Sequence, residues 1–248
     1  SGKGWKIKYY SRKSEKTPIP ESLHPELDES ELLDEEHHNA YQRLIGILQW
    51  CSIGRADIQF AVCSLNRFNT GPGKNQLKVV VRIFSYLQEF PVGKIKMDHR
   101  DFDLFKDLEE RDDEFTRLYP DAFKQLDPRQ PEPYGNLLLT GLFYDLDHTH
   151  DKVTNRSCTG LVIYVGSTPI MWSRKRQSSI ASSSYAAEFL AGRQACEEAI
   201  AICYMLHSLG CRIKGRMVLY GDNQGMVTSS TKFDAECKKK HIQISREC

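Results

Sequence analysis

No stretch of the 248-residue chain is apolar for long enough to cross a bilayer. The longest strongly apolar run, Leu137 to Tyr144, falls far short of the roughly 20 residues a spanning helix needs. The N-terminal SGKGWKIKYY holds no apolar core of signal-peptide length. These two absences predict a chain that works inside the cell and has no membrane partner. Eight cysteines are present, yet no two form a CxxC pair. That argues against a compact zinc site, and Cys196 and Cys203, seven apart in a helical pattern, read as small hydrophobes on one face. Reduced thiols are expected. Cys237, His241 and Cys248 remain as a candidate metal-ligand set. No Ser–His or Cys–His pairing suggests a covalent nucleophile. What is present is ordinary for a globular chain: 40% hydrophobic residues suit one large domain or two small ones.

The formal net charge of +1 conceals segregation. Residues 1–16 carry +5, residues 17–40 carry −8 with no basic residue at all, and residues 41–96 carry +6. Residues 97–151 carry −9 and residues 152–248 carry +7. Basic blocks of this size mark either solvated faces or polyanion-binding ones, and acidic blocks suit loops and linkers.

Composition and periodicity divide the chain into four parts. Residues 1–40 read as an irregular lead-in, interrupted by Pro18, Pro20 and Pro25 and too acidic to bury itself. Residues 41–96 show helical spacing through Leu44, Ile45 and Leu48, then Ile58, Ala61, Val62, Leu65 and Phe68, with a break near Gly54 and a further helix over 77–87. Residues 97–134 are acidic and end in PRQPEPYG, a linker signal. Residues 135–248 form a different regime. Strands are predicted at Leu137–Tyr144, Gly160–Val165 and Pro169–Ser173, the last two joined by a Gly166-Ser167 turn. A long helix follows, capped by the serines at 182–184 and closed by Gly210. A fourth strand at Met217–Tyr220 and the start of another helix complete the pattern. This order predicts an α/β layer with a hairpin meander and then a crossover helix.

Three acids occupy places where acids are costly. Asp145 ends the apolar strand, Glu188 lies early in the long helix among Ala186, Ala187, Phe189 and Leu190, and Asp222 follows the strand MVLYG. Converging carboxylates repel unless a cation joins them, and hard oxygen ligands suit Mg²⁺ or Mn²⁺. Two such ions can activate a water and stabilise the leaving oxygen of a phosphodiester. Each acid also has a plainer reading: a turn cap for Asp145, a helix-dipole partner for Glu188 and an N-cap for Asp222. His148 and His150, with Asp147 and Asp151, offer a separate zinc reading by strand alternation.

The ordered segments FYDLDHTHD, RSCTG, MWSRKRQ, SSSYAAEFLA, LYGDNQ and KKKH resemble the RNase H domain of copia-type LTR retrotransposon polyproteins. The stretch YQRLIGILQWCSIGRADIQFAVCSLNRFNTGPG, followed by VVVRIFSYL, is similar to the thumb and connection region of the same polyproteins. The resemblance implies an RNase H-like mixed sheet with flanking helices, preceded by a small helical thumb-like module. It implies that Asp145, Glu188 and Asp222 are catalytic and bind two Mg²⁺ (or Mn²⁺) ions. It further implies that Asn223 and Gln224 face nucleic acid, that Ser183 and Ser184 suit the minor groove with its 2′-hydroxyls, and that Arg174, Lys175 and Arg176 meet backbone phosphate. The partners so implied are an RNA–DNA hybrid and the rest of a Pol polyprotein, with its polymerase palm and fingers and its integrase. The setting would be a cytoplasmic virus-like particle or the nucleus.

The chain departs from that pattern near its end. The family carries a fourth acid in a last strand and helix; none of Asp234, Glu236 or Glu247 sits in that context, and Gln243 stands where an acid often follows the histidine. The last strand and helix are therefore expected to be missing. No Tyr-x-Asp-Asp sequence is present, so polymerisation is not expected of this segment. Two readings follow: a Mg²⁺-dependent ribonuclease H, or a degenerate or domesticated remnant that binds nucleic acid or a protein without cleaving. A fragment that does not fold stably is the third.

Overall fold

The computed structural model describes residues 15–20, 22–98, 100, 129–147, 151–215 and 217–226. They belong to two compact units, the first drawn from residues 1–94, 149–158 and 174–178 and the second from 95–148, 159–173 and 179–248. The chain thus passes between the two units several times. Most of the acidic segment, residues 101–128, lies outside the described residues, as do Asp234, Glu236, Cys237, His241, Gln243, Glu247 and Cys248.

The first unit is built on three helices: α1 (Glu35–Gly54), α2 (Ala56–Asn66) and α3 (Lys74–Glu89). Apolar positions at i, i+4 and i+7 put Tyr41, Ile45 and Leu48 of α1 on one face, against Ile58, Ala61, Val62 and Leu65 of α2 and Val80 and Ile83 of α3. All are essentially buried. The one polar atom in that group is satisfied, because the Tyr41 hydroxyl donates to the Leu65 carbonyl at 2.7 Å. Arg55 ends α1 with non-helical angles and ties the helices together. It forks onto Asp57 at 2.9 and 2.7 Å and donates to the Phe90 carbonyl at 2.8 Å, while the Tyr86 hydroxyl donates to Asp57.

The lead-in differs from expectation. α1 begins at Glu35, six residues before Tyr41, because Asp34 is an N-cap whose carboxylate accepts from the His37 N–H at 2.9 Å. Glu35 and Glu36 then sit on the positive end of the helix dipole, so part of the acidic run is helix-forming. Ile19 and Pro25 are buried, and Leu32 bridges to Gly73. Charge counting missed these few apolar anchors.

The second unit is a mixed α/β layer. Among the described residues there are six strands, of which Cys158 and Arg174–Arg176 count with the first unit: β1 (Tyr134–Leu138), β2 (Thr140–Asp147), β3 (Cys158–Val165), β4 (Thr168–Arg176), β5 (Cys211–Ile213) and β6 (Val218–Tyr220). A long helix, α4 (Ser184–Ser208), lies between β4 and β5. The main sheet has the order β4-β3-β2-β6, and β6 runs parallel to β2 with Leu142 opposite Leu219. The meander and the crossover helix are as expected. In place of the single strand at Leu137–Tyr144 there are two, because the chain leaves the main sheet at Leu139 and β1 pairs in parallel with β5. β5 itself was not foreseen. β4 runs through Arg176, three residues past its expected end.

Strict alternation drives β2: Thr140, Leu142, Tyr144 and Leu146 are buried, while Asp145 and Asp147 are exposed. The buried residues meet α4, where Ala187, Ala191, Ala195 and Ala199 make a small-residue row that lets helix and sheet approach closely. Full burial of a side chain such as Leu142 contributes about 2 kcal/mol. Gly210, at φ +74°, takes the left-handed position that ends α4, as its sequence position suggested. Among the described residues, no helix is long and apolar enough to cross a membrane.

Candidate active site

The three acids lie in one unit, on three elements. Asp145 is in β2, exposed, and its carboxylate accepts from the Leu146 N–H at 2.8 Å. Glu188 is the fifth residue of α4 and is 8% exposed. Asp222 follows β6 by one residue, Gly221, and is exposed. Their charges act on one another. Burial pushes the Glu188 carboxyl up to about 7, and the negative charges of Asp222 and then Asp145 push in the same direction. Among the described residues, no three His, Cys, Asp or Glu side chains are grouped closely enough to hold a metal ion as they stand. The acids form an electrostatic cluster, not a closed cage. Their donor chemistry, carboxylate oxygen only and mutually repelling, fits a hard divalent cation and does not fit a soft one.

The raised Glu188 has a consequence for stability. The unfolded chain ionises this group above about pH 4.5, while the folded chain holds its proton to about pH 7. Stability from this source is therefore fully present below pH 4.5 and is lost as pH rises through 7, by on the order of 3 kcal/mol. Glu188→Gln should accordingly raise the melting temperature at pH 8 in EDTA and leave it unchanged at pH 4.5. Melts followed by circular dichroism at the two pH values check this; equal shifts at both would count against the repulsion.

The neighbouring polar residues divide by role. Ser183 is the N-cap of α4, its hydroxyl accepting from the Ala186 N–H at 3.2 Å, so that oxygen is engaged structurally. Ser184 is exposed at the helix start. Asn223 accepts from the Met226 N–H at 3.0 Å and caps the short turn that follows, while Gln224 is exposed. The basic run is split. Arg174 lies 4.0 Å over the Phe60 ring, and Arg176 donates to Asp151 at 2.8 Å, both within the first unit. Lys175 is the exposed member. Of the three basic residues, Lys175 is exposed while the two half-buried arginines have partners within the protein.

Two features were not legible as site elements. Asp151 is completely buried and accepts from Arg67, Arg176, the Thr154 hydroxyl and the Val153 and Thr154 amides. Burial alone would raise its pKa, but the Thr154 and arginine contacts outweigh it and hold the carboxyl well below the usual range. This corrects the zinc reading: Asp151 is committed to two guanidinium groups. His148 and His150 lie outside the described residues. The second feature is Tyr144, whose hydroxyl donates to Met226 Sδ at 3.1 Å. Burial, then the charge of Glu188, raises its phenol. Tyr144 ends the strand expected at Leu137–Tyr144, but nothing local marked what it would touch.

Curated relatives match the chain, three of them Pol polyproteins from plant transposons. It is 28% identical over 204 residues to the retrovirus-related Pol polyprotein from transposon RE1 of Arabidopsis thaliana, covering 82% of this chain and 12% of that protein. The corresponding polyprotein from transposon RE2 of the same plant is 26% identical over 204 residues, with the same coverage. That from transposon TNT 1-94 of Nicotiana tabacum is 25% identical over 205 residues, covering 82% of this chain and 13% of that protein. The chain therefore spans about an eighth of the length of the relatives it matches. No family model matches, and no solved structure matches.

Proposed function

Starting from a chain whose relatives are copia-type Pol polyproteins, we propose that its second unit is an RNase H-like domain that hydrolyses the RNA strand of an RNA–DNA hybrid. The observation that carries this reading is the placement of Asp145, Glu188 and Asp222 in β2, in the second turn of α4 and just after β6 of one unit. The strand order β4-β3-β2-β6, with β6 parallel to β2, supports it by bringing two acid-bearing strand ends side by side.

Asp145 and Asp222 present exposed carboxylates that a phosphodiester can approach, and with Glu188 they would hold the divalent cations. Such cations supply an acidified water and counter-charge for the leaving 3′-oxygen. Without a cation Glu188 holds its proton up to about pH 7, and a divalent cation bound there would displace that proton. Ser184, Asn223 and Gln224 would meet the hybrid near its 2′-hydroxyls, and Lys175 would meet phosphate. The remaining parts of a Pol polyprotein are its natural partners, in a cytoplasmic particle or the nucleus.

A second reading, nucleic-acid or protein binding without cleavage, is favoured by the lack of a closed three-ligand group among the described residues. One assay separates them. A labelled RNA–DNA hybrid should be cut in Mg²⁺ or Mn²⁺ and spared in EDTA, with binding that weakens as salt rises. Salt-sensitive binding with no cleavage in either metal would sink the hydrolase reading and leave the binding one.

A further inference from the structure

We propose that Tyr144 is a positioning residue that fixes the spacing of Asp145, Glu188 and Asp222. This rests on reading those acids as a divalent-cation site. The acids come from three separate parts of the chain, and one phenol on the first of them packs against the other two. Tyr144 precedes Asp145 in β2, with its side chain on the buried face that meets α4. On α4, Gly192 lies one turn beyond Glu188. A Cβ there would come within 3.5 Å of the Tyr144 hydroxyl and 2.0 Å of Met226 Cε. On the third element, a Cβ at Gly221, next to Asp222, would lie 2.4 Å from both Cζ and Oη of Tyr144. Both glycines thus leave room that the phenol and its methionine partner fill. The hydroxyl closes the arrangement by donating to Met226 Sδ at 3.1 Å, at the end of the turn that Asn223 caps.

Each acid is therefore tied to this ring at one remove: by a peptide bond for Asp145, by one helical turn for Glu188 and by one residue for Asp222. Acids that repel one another need a neutral spacer between their backbones, because a basic one would satisfy their charge and compete with a cation. A phenol held by a thioether and two glycines meets that requirement. Neighbours of a metal site that orient its ligands typically affect affinity by roughly 10–100-fold.

The test is Mn²⁺ binding to the full chain, followed by the electron paramagnetic resonance of free Mn²⁺ and independent of any substrate. Tyr144→Phe removes the hydroxyl and keeps the ring, and should weaken binding about 3-fold, the scale of one lost hydrogen bond. Tyr144→Leu removes the ring and should weaken it about 10-fold or more. Circular dichroism on the same samples establishes that the variants are folded, and the graded recovery from Leu to Phe is what a mere loss of folded protein would not give. Asp222→Asn is the reference. Should Asp222→Asn bind Mn²⁺ as the parent does, the carboxylate reading fails and this inference with it. Should Asp222→Asn weaken binding while both Tyr144 variants bind normally, the carboxylate site stands and the positioning role is overturned. If Tyr144→Leu does not fold, unchanged affinity in Tyr144→Phe is enough to overturn it.

Discussion

Asp145→Asn is expected to slow Mg²⁺-dependent cleavage of an RNA–DNA hybrid by roughly a thousandfold or more. Losing one charged ligand removes several kcal/mol of charge stabilisation at the reacting phosphate, and each 1.36 kcal/mol is a factor of ten. The substitution should cost little stability. Asp145 is exposed, and its contact with the Leu146 amide is one that asparagine can also make through its carbonyl oxygen. A single-turnover cleavage assay beside a thermal melt separates the two effects. Near-parental cleavage by a purified, folded Asp145→Asn chain would remove Asp145 from the site.

The three acids could be placed near element ends from the sequence. The apolar run before Asp145 marked its strand, which continues to Asp147, the serine cap dated the start of α4 before Glu188, and the apolar run before Gly221 ended β6 ahead of Asp222. Their mutual repulsion was expected from the element types, but that Glu188 would be the acid to bear it was not, since that depends on its burial on α4. The basic run shows the opposite failure. Three consecutive cations read as a surface, yet Arg176 turns to a buried acid 25 residues upstream and Arg174 to an aromatic ring more than 100 residues away. Partners so distant leave no trace in local spacing.

Asp151→Ala is expected to destabilise the chain by about 3–5 kcal/mol, the scale on which removal of one partner from a buried ion pair is felt. Arg67 and Arg176 would be left largely buried without their shared carboxylate, and the Val153 and Thr154 amides would lose an acceptor. Against a typical stability of about 5–15 kcal/mol, this is a large fraction, equivalent to a fall in melting temperature of roughly 6–20 °C. The effect should be the same at pH 5 and pH 8, because the depressed Asp151 pKa keeps its contribution intact until pH falls below the ordinary carboxylate range. That distinguishes it from Glu188, whose contribution changes across the same interval. Melts of Asp151→Ala at both pH values check the prediction; a shift under about 1 kcal/mol would show that the arginines find other partners.

The rest of the fold follows the same division between local and distant causes. The helices of the first unit, the Gly166 turn and the Gly210 cap each rest on spacing or on one special residue, and each appeared where that chemistry put it. β5 is three residues long and exists because Tyr134 and Leu138, more than 70 residues earlier, accept it as a parallel neighbour. The early start of α1 depended on Asp34 acting as a cap inside an acidic run, where a tally of charge sees only repulsion.

The Asp151 cluster also bears on how the chain can be divided. Its acid comes from the segment after β2 and one arginine from the end of β4, while the other arginine belongs to the chain just after α2. A cut anywhere in the acidic stretch 97–134 would place Arg67 on one product and Asp151 with Arg176 on the other. The first piece would carry Arg67 without its carboxylate, and the second would hold Asp151 with one of its two guanidinium partners, so either fragment made alone would be the poorer folder. A fragment boundary chosen from composition would run straight through an interaction that composition cannot register.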